Sequence, residues 1–291
     1  MKKFLCLLYV LVSFSVVCNA ATLKEIKERG VLRHLGVYYA NFNTASGDGY
    51  DTEMMKMFAS YLGVKYQHIP TTFSAVITDL TGIKVKPAGT DVEILGKTEP
   101  KGDIIANGLT ILPWRQKVVH YSVPTFPTQV WLVSRADAPI KPIIPSGDSD
   151  KDIQAVKNLL KNMTVLEKKN TCLDASLYNL TDAGAKVKSF SGGLGELAPA
   201  VIQGEADATI LDVPDALVAL EKWGSEIKVI GPISEFQGMG VGFTKDAVEL
   251  HKAFENFLSA IKKDGRMYSL ITKYYSLAFQ FYPNFFSDVK Q

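Results

Sequence analysis

Between Gly102 and Phe126 the chain reads GDIIANGLTILPWRQKVVHYSVPTF, and a Leu112-Pro113 turn lifts Arg115 out of this apolar, strand-like stretch. A planar, permanently charged guanidinium suits a carboxylate, which it can hold through two parallel hydrogen bonds. The plainer use of the same residue is a surface pair with any nearby acid. A second feature is the run Thr164 to Glu167, a polar turn, and a helix expected from Cys172 to Asn179. The N–H groups that open such a helix can receive an anion or a polar group. A third is Asp212, at the end of the apolar run Ala208 to Leu211 and followed by Pro214 and Asp215. An aspartate there is either a turn cap or the partner of a cation. Cys172 reads as a small buried residue or weak donor, not a reactive thiol. His34, His68, His120 and His251 lie far apart without ligand spacing, so no metal is expected.

The elements that must position these residues follow from the pattern. Thr22 and Glu25 form a capping-box signature and Gly30 supplies a left-handed exit, which together bound a short helix. Val31 to Tyr39 reads as a strand. Asp51 is the expected cap of a helix with Met54, Met57, Phe58, Tyr61 and Leu62 at helical spacing, closed by Gly63. These methionines fill core space and do not mark a cofactor. Val64 to Ile69 is the next strand, and the alternation argues for an α/β layer. A short helix over Phe73 to Leu80 precedes a glycine- and proline-containing insertion, Gly82 to Lys101, expected to carry its own hairpin. Helices are expected at 151–162, 196–203, 215–223, 247–263 and 267–275, with strands at 130–134 and 228–230. The aromatic end, AFQFYPNFFSD, is expected to pack as a strap.

Lys2 and Lys3, an apolar run from Phe4 to Val17, and small residues around Ala20-Ala21 have the three parts of a Sec-type export signal over residues 1–20. Losing it takes the formal net charge from +2 to neutral and removes Cys6 and Cys18, so no basic nucleic-acid footprint and no internal disulfide remain. The remainder, about 270 residues, is the size at which one core gives way to two lobes.

Taken in order, these pieces resemble the family 3 extracellular solute-binding proteins, two-lobed periplasmic receptors that serve amino-acid ABC importers. GYDTEMMKMFASYLGVKY is similar to the family's first-lobe helix and strand, and the Gly102 to Phe126 stretch to its arginine-bearing segment. GEADATILDVPDAL resembles the second-lobe strand with its terminal aspartate, and LHKAFENFLSAIKKDGRMYSLITKYY the C-terminal helices. The resemblance implies an α/β, type II periplasmic-binding-protein fold, each lobe a mixed sheet flanked by helices, with the ligand cleft between lobes. Residues 22–127 and 239–291 would form a discontinuous first lobe and 128–238 the second, with hinge crossings near Phe126 to Thr128 and Gln237 to Gly240.

It implies further that Arg115 holds a ligand carboxylate with help from Thr110 and the backbone near Gly108, and that Asp212 pairs with the ligand ammonium. Tyr39 and Phe73 would cover the ligand from opposite sides, and Thr171 and Cys172 would add donors from the second-lobe turn. An arginine on one lobe and an aspartate on the other complement a zwitterion, and each alone would be costly inside a closed cleft. The implied partners are a small α-amino acid or related carboxylate and the membrane subunits of an ABC importer. The protein would be a periplasmic monomer without catalytic residue, cofactor or nucleic-acid partner.

The chain departs from the family at the turn before Cys172, at Asn41 and in the Gly82 to Lys101 insertion, which leaves the ligand side chain open. Lys168 and Lys169 would favour an acidic ligand if they faced the cleft; a solvated loop is their ordinary use. Two other classes stay open. Some family members are dehydratases of cyclohexadienyl acids, with a general acid one helical turn past the second-lobe aspartate. Asp215 has that offset from Asp212, although a helix cap is the simpler reading. A ligand-sensing adaptor for a membrane signalling protein is the third.

Overall fold

A computed structural model describes residues 22–169 and 171–291, so the expected export signal over residues 1–20 lies outside the described residues. Thr22 and Glu25 close their capping box at the start of α1 (Leu23–Arg29), and Gly30 ends it in the left-handed conformation. The chain continues through β1 (Val31–Gly36), α2 (Tyr50–Leu62), β2 (Lys65–Pro70) and α3 (Val76–Thr81). The hairpin β3 (Ile83–Ala88) and β4 (Asp91–Lys97), then β5 (Ile104–Ile105), α4 (Pro113–Gln116) and β6 (Val119–Tyr121), complete this part. β7 (Phe126–Thr128) crosses to β8 (Val130–Arg135), α5 (Ser149–Asn158), β9 (Thr164–Glu167), β10 (Lys186–Ser189), α6 (Leu197–Ile202), β11 (Ala208–Asp212), α7 (Val213–Trp223) and β12 (Ile227–Pro232). β13 (Gln237–Met239) returns the chain to β14 (Gly242–Thr244), α8 (Val248–Lys263), α9 (Arg266–Tyr274) and α10 (Ala278–Phe281).

Two mixed five-stranded sheets organise two lobes, ordered β2-β1-β5-β14-β6 and β10-β9-β11-β8-β12. Both repeat one pattern: two parallel pairings followed by two antiparallel ones. In each, the strand that has just crossed between lobes, β14 or β8, pairs antiparallel with a strand whose carboxyl end faces the crossing, β5 or β11. Loops leaving such strand ends are where α/β sheets place ligand groups. The crossings zip together as the antiparallel pair β7 and β13, with Met239 opposite Phe126 and Gln237 opposite Thr128.

The aromatic end is a strap across this hinge. Tyr275 packs on Phe126 with ring centroids 4.6 Å apart, and Phe286 reaches the same ring at 5.9 Å. Trp131 of the second sheet stacks on Tyr282, whose hydroxyl donates to Gln129 Oε1 at 3.0 Å. Phe126 and Tyr275 are fully buried, and each such ring contributes about 1.5–3 kcal/mol by leaving water.

Several local expectations are corrected. Asp51 does not cap α2: Gly49 holds that position, and Asp51 turns into the protein from the first helical turn. The run Ile104 to Ile111 is a strand only at Ile104–Ile105, because Gly108 at φ +62° bends the chain. The segment from Cys172 forms no α-helix, only a 3-10 turn over Ala175–Tyr178. The strand β10 was not expected; its pattern, KVKS, has a single apolar residue to signal burial.

The bend at Gly108 sits on a polar bed. Gly108 N–H donates to Asp51 Oδ2 at 2.7 Å, and Asn43 Nδ2 and His34 Nε2 donate to the Ala106 carbonyl at 2.8 and 2.6 Å. A carbonyl can only accept, so His34 is protonated on Nε2, and its Nδ1 accepts from Tyr66. A Cβ at Gly108 would lie 2.5 Å from the Phe42 ring. Gly108→Ala therefore combines left-handed strain with overpacking and should destabilise the protein by about 2–4 kcal/mol in urea unfolding. A loss below about 0.5 kcal/mol would mean that the bend tolerates a side chain.

Candidate functional site

Arg115 projects from α4, a single turn opened by Pro113, whose missing N–H costs nothing at the first helical position. Its Nη1 donates to the Thr110 carbonyl at 2.9 Å, its guanidinium lies 5.3 Å from the Trp114 ring centroid, and its Nε is buried with no partner. Burial disfavours the charge, while Tyr121 and Cys172 support it. Trp114, Val85 and Val92 pack on one small core with Leu35, Val76 and Leu80. The inserted hairpin thus supports the Arg115 turn from outside.

Thr110 is pinned from the other side. It bridges Met239, and the flanking Ile111 N–H and Leu109 carbonyl bond Gly238 and Gly240 at 2.9 and 3.1 Å. The loop carrying the arginine is therefore laced to the returning crossing.

Asp212 stands at the carboxyl end of β11, opposite Val130, which sets it against the crossing strand. Its Oδ1 accepts from Thr128 Oγ1, and its Oδ2 faces the Tyr39 hydroxyl at 3.4 Å and the Cys172 thiol at 3.7 Å. Burial pushes its pKa up to about 6, with the Thr128 bond working against the rise. Asp215 lies one turn further along α7. It is no cap: Asp212 occupies the cap position without a side-chain cap bond, and Asp215 Oδ2 is buried with no partner. Burial and then the neighbouring Asp212 charge push Asp215 up to about 7.

Arg115, Thr110, Asp212, Tyr39 and Cys172 are thus brought to one region where the lobes meet. Tyr39 comes from the loop after β1, so its contact with Asp212 spans the two sheets. Its ring touches Phe73 edge-on with centroids 5.4 Å apart and stacks on Phe42 at 5.9 Å. The two rings expected on opposite sides of a ligand therefore touch each other here.

Two expected donors are already engaged. Gly108 N–H is taken by Asp51, so it offers the cleft nothing. Thr171 Oγ1 donates to the Lys168 carbonyl at 2.6 Å and accepts from Leu173 N–H. The N–H groups after it go to Glu167 Oε2 and Asp174 Oδ1, which closes the anion-receiving role expected of a helix start there. Lys168 is tied to the Ser191 and Gly192 carbonyls at 3.0 and 2.6 Å, and Lys169 is exposed, 3.9 Å from Glu167.

Sequence reasoning passed over Asp51, the buried base of the Gly108 bend, whose pKa burial raises to about 7. It also passed over Thr128 and Tyr121. The G-Y-D pattern read as a helix start hid the first, and nothing in spacing marks the others. Among the described residues no cluster of three or more His, Cys, Asp or Glu could hold a metal ion, and no helix is long and apolar enough to cross a membrane.

Residues 81–277 match the bacterial extracellular solute-binding proteins, family 3. The L-cystine-binding protein TcyJ of Escherichia coli strain K12 is 23% identical over 263 residues, covering 87% of this chain and 85% of that protein. Among solved structures, a P235GK mutant of ArgBP from T. maritima is 26% identical with a TM-score of 0.62, covering 87% of this chain and 99% of that one. The ancestral amino acid-binding protein AncCDT-1, a precursor of cyclohexadienyl dehydratase, is 25% identical with a TM-score of 0.63, covering 87% of this chain and 98% of that one.

The raised carboxyls carry a pH signature. An acid whose folded pKa lies above its unfolded value contributes most below the unfolded pKa, and that contribution is lost as pH rises through the folded one. Asp215→Asn should therefore melt above the ligand-free wild type at about pH 8 by about 1–3 kcal/mol, and the difference should close by about pH 4. A difference independent of pH would show that Asp215 is solvated.

Proposed function

Because the chain belongs to the bacterial extracellular solute-binding proteins of family 3, we propose that it captures a small α-amino acid by closing its two lobes over it and hands it to an ABC importer. The observation that carries this reading is the pair Arg115 and Asp212. Arg115 has a buried, unpartnered Nε on one side of the cleft, and Asp212 is a buried carboxylate that forms no ion pair among the described residues on the other. A buried charge left alone costs several kcal/mol, roughly speaking, and a zwitterion neutralises both at once. A simple anion would satisfy only the arginine. The relatives bear on the same class: TcyJ is an L-cystine-binding protein and AncCDT-1 an amino acid-binding protein.

In this reading Arg115 and Thr110 hold the carboxylate and Asp212 the ammonium. Tyr39 and Phe73 part to admit the ligand and close over it, and Cys172 lines the second-lobe side. Thr171 and Gly108 shape the turn and the bend that carry their neighbours. The lobes are residues 22–127 with 239–291, and 128–238. Closure shifts a population that already samples the closed form. The protein acts as a monomer in the periplasm and performs no chemistry on its cargo.

Dehydration of a cyclohexadienyl acid is the second reading, favoured by Asp215, which stands at the offset of that general acid with one carboxyl oxygen buried and its pKa pushed up to about 7 by burial. Arg115 would then hold the acid's carboxylate.

A thermal-shift screen of the standard amino acids, L-cystine, dicarboxylates and cyclohexadienyl acids separates the two. An amino acid at a hundred times its Kd should add about 2.7 kcal/mol, raising Tm by about 5–10 °C. Arg115→Ala should erase the shift while melting cooperatively by itself. Consumption of a cyclohexadienyl acid with no amino-acid shift would replace the receptor with the dehydratase.

A further inference from the structure

We infer that Asp215 is a second ligand-binding carboxylate: with Asp212 it cradles the ammonium of the bound amino acid, and seating that ammonium displaces a proton from the pair. The inference rests on the amino-acid reading above and deepens it at the ammonium end of the site.

Asp212 and Asp215 are three residues apart across the start of α7, a spacing that puts both side chains on one side of the helix. Neither is spent on the helix itself, because Asp212 makes no side-chain cap bond and Asp215 Oδ2 is buried without any partner. The other groups that face the pair are uncharged donors. Tyr39, Cys172 and Tyr275 lie beside Asp215, and Tyr178 and Tyr282 beside Asp212. The Cys172 thiol points at Asp212 Oδ2, and the Tyr39 hydroxyl lies 3.4 Å from that oxygen while also bearing on the Asp215 carboxyl, whose Oδ2 still has no hydrogen-bond partner. Arg115 does not neutralise the pair, since it is bound to the Thr110 carbonyl and forms no ion pair with either aspartate.

Two adjacent carboxylates without a cation in a desolvated place cannot both ionise cheaply, so the pair keeps a proton near neutral pH. This agrees with the rise of Asp212 to about 6 and Asp215 to about 7. An ammonium group carries three N–H donors and one positive charge. Placed between the two carboxyls it answers Asp215 Oδ2 and supplies the missing charge, after which the proton is no longer favoured and leaves to solvent. No covalent bond changes. The ligand cation replaces the proton, so affinity rises with pH until the pair is fully ionised. A deaminated analogue, a 2-oxo acid for instance, cannot make this exchange.

Calorimetry of the mature protein decides it, using each amino acid that shifts the melting transition and its 2-oxo analogue, in buffers of different ionisation enthalpy between about pH 5.5 and pH 8. Up to one proton should be released per ligand bound. Asp215→Asn should weaken binding about 10- to 100-fold and remove the proton release, while Asp215→Glu should retain it. The inference is overturned if the wild type binds an amino acid with no proton release across that range, or if Asp215→Asn binds within about twofold with the same pH slope. Should Asp215→Asn fail to melt cooperatively, the wild-type proton count and the Asp215→Glu variant decide the matter. A wild type that binds no amino acid at all sinks the amino-acid reading first, and this inference with it.

Discussion

A buried charge must find its opposite or lose its charge, and in this protein that constraint falls on groups held by different halves of the chain. Arg115 has its Nε out of water, Asp212 is buried, and neither is neutralised by the other. The arginine cannot shed its proton, so it needs an anion. The carboxylate can be neutralised, and its raised pKa reflects that recourse. Among the described residues neither group has its opposite charge beside it, and in the proposed reading the bound solute supplies both.

The fold serves that outline by repetition. Each five-stranded sheet accepts a crossing strand antiparallel to a strand that ends at the hinge, which brings the Arg115 loop and Asp212 to the same region from opposite sides. The lacing of Leu109 to Ile111 against Gly238 to Gly240 ties the arginine loop to the returning crossing. Thr128, at the other crossing, bonds Asp212 directly. The crossings and the proposed site therefore share residues, Thr128 bonding Asp212 and Gly238 to Gly240 bonding the loop that carries Arg115. The strap of Tyr275, Tyr282 and Phe286 supplies apolar area across the same hinge. It holds the lobes together with contacts that do not depend on a ligand.

Where the chain departs from the expected pattern, polar groups are committed locally. The Gly108 amide serves Asp51, the Thr171 hydroxyl serves its own turn, and Lys168 ties a neighbouring loop. Each such bond commits a donor locally, so in the proposed reading recognition falls to fewer groups, Arg115 and the two aspartates foremost. The insertion that broke the sequence rhythm is a hairpin whose Val85 and Val92 share a small core with Trp114, next to Arg115.

The sequence by itself determined the elements whose signals are local: the Thr22 box, the helix closed by Gly63, the hairpin in the insertion, and the strand ending in Asp212. It also carried the motifs that led to the family, and through them the proposal that Arg115 and Asp212 act together. Only the tertiary structure decided which polar groups remained free, because that depends on partners distant in sequence: Asp51 for Gly108, Thr128 for Asp212, Glu167 for the turn after Thr171. It also turned Asp215 from an expected cap into a carboxyl with one oxygen, Oδ2, buried and without a hydrogen-bond partner. Capping is a local hydrogen bond and can be guessed from four residues. Desolvation is set by what the other lobe brings across the cleft, and no window of sequence contains that.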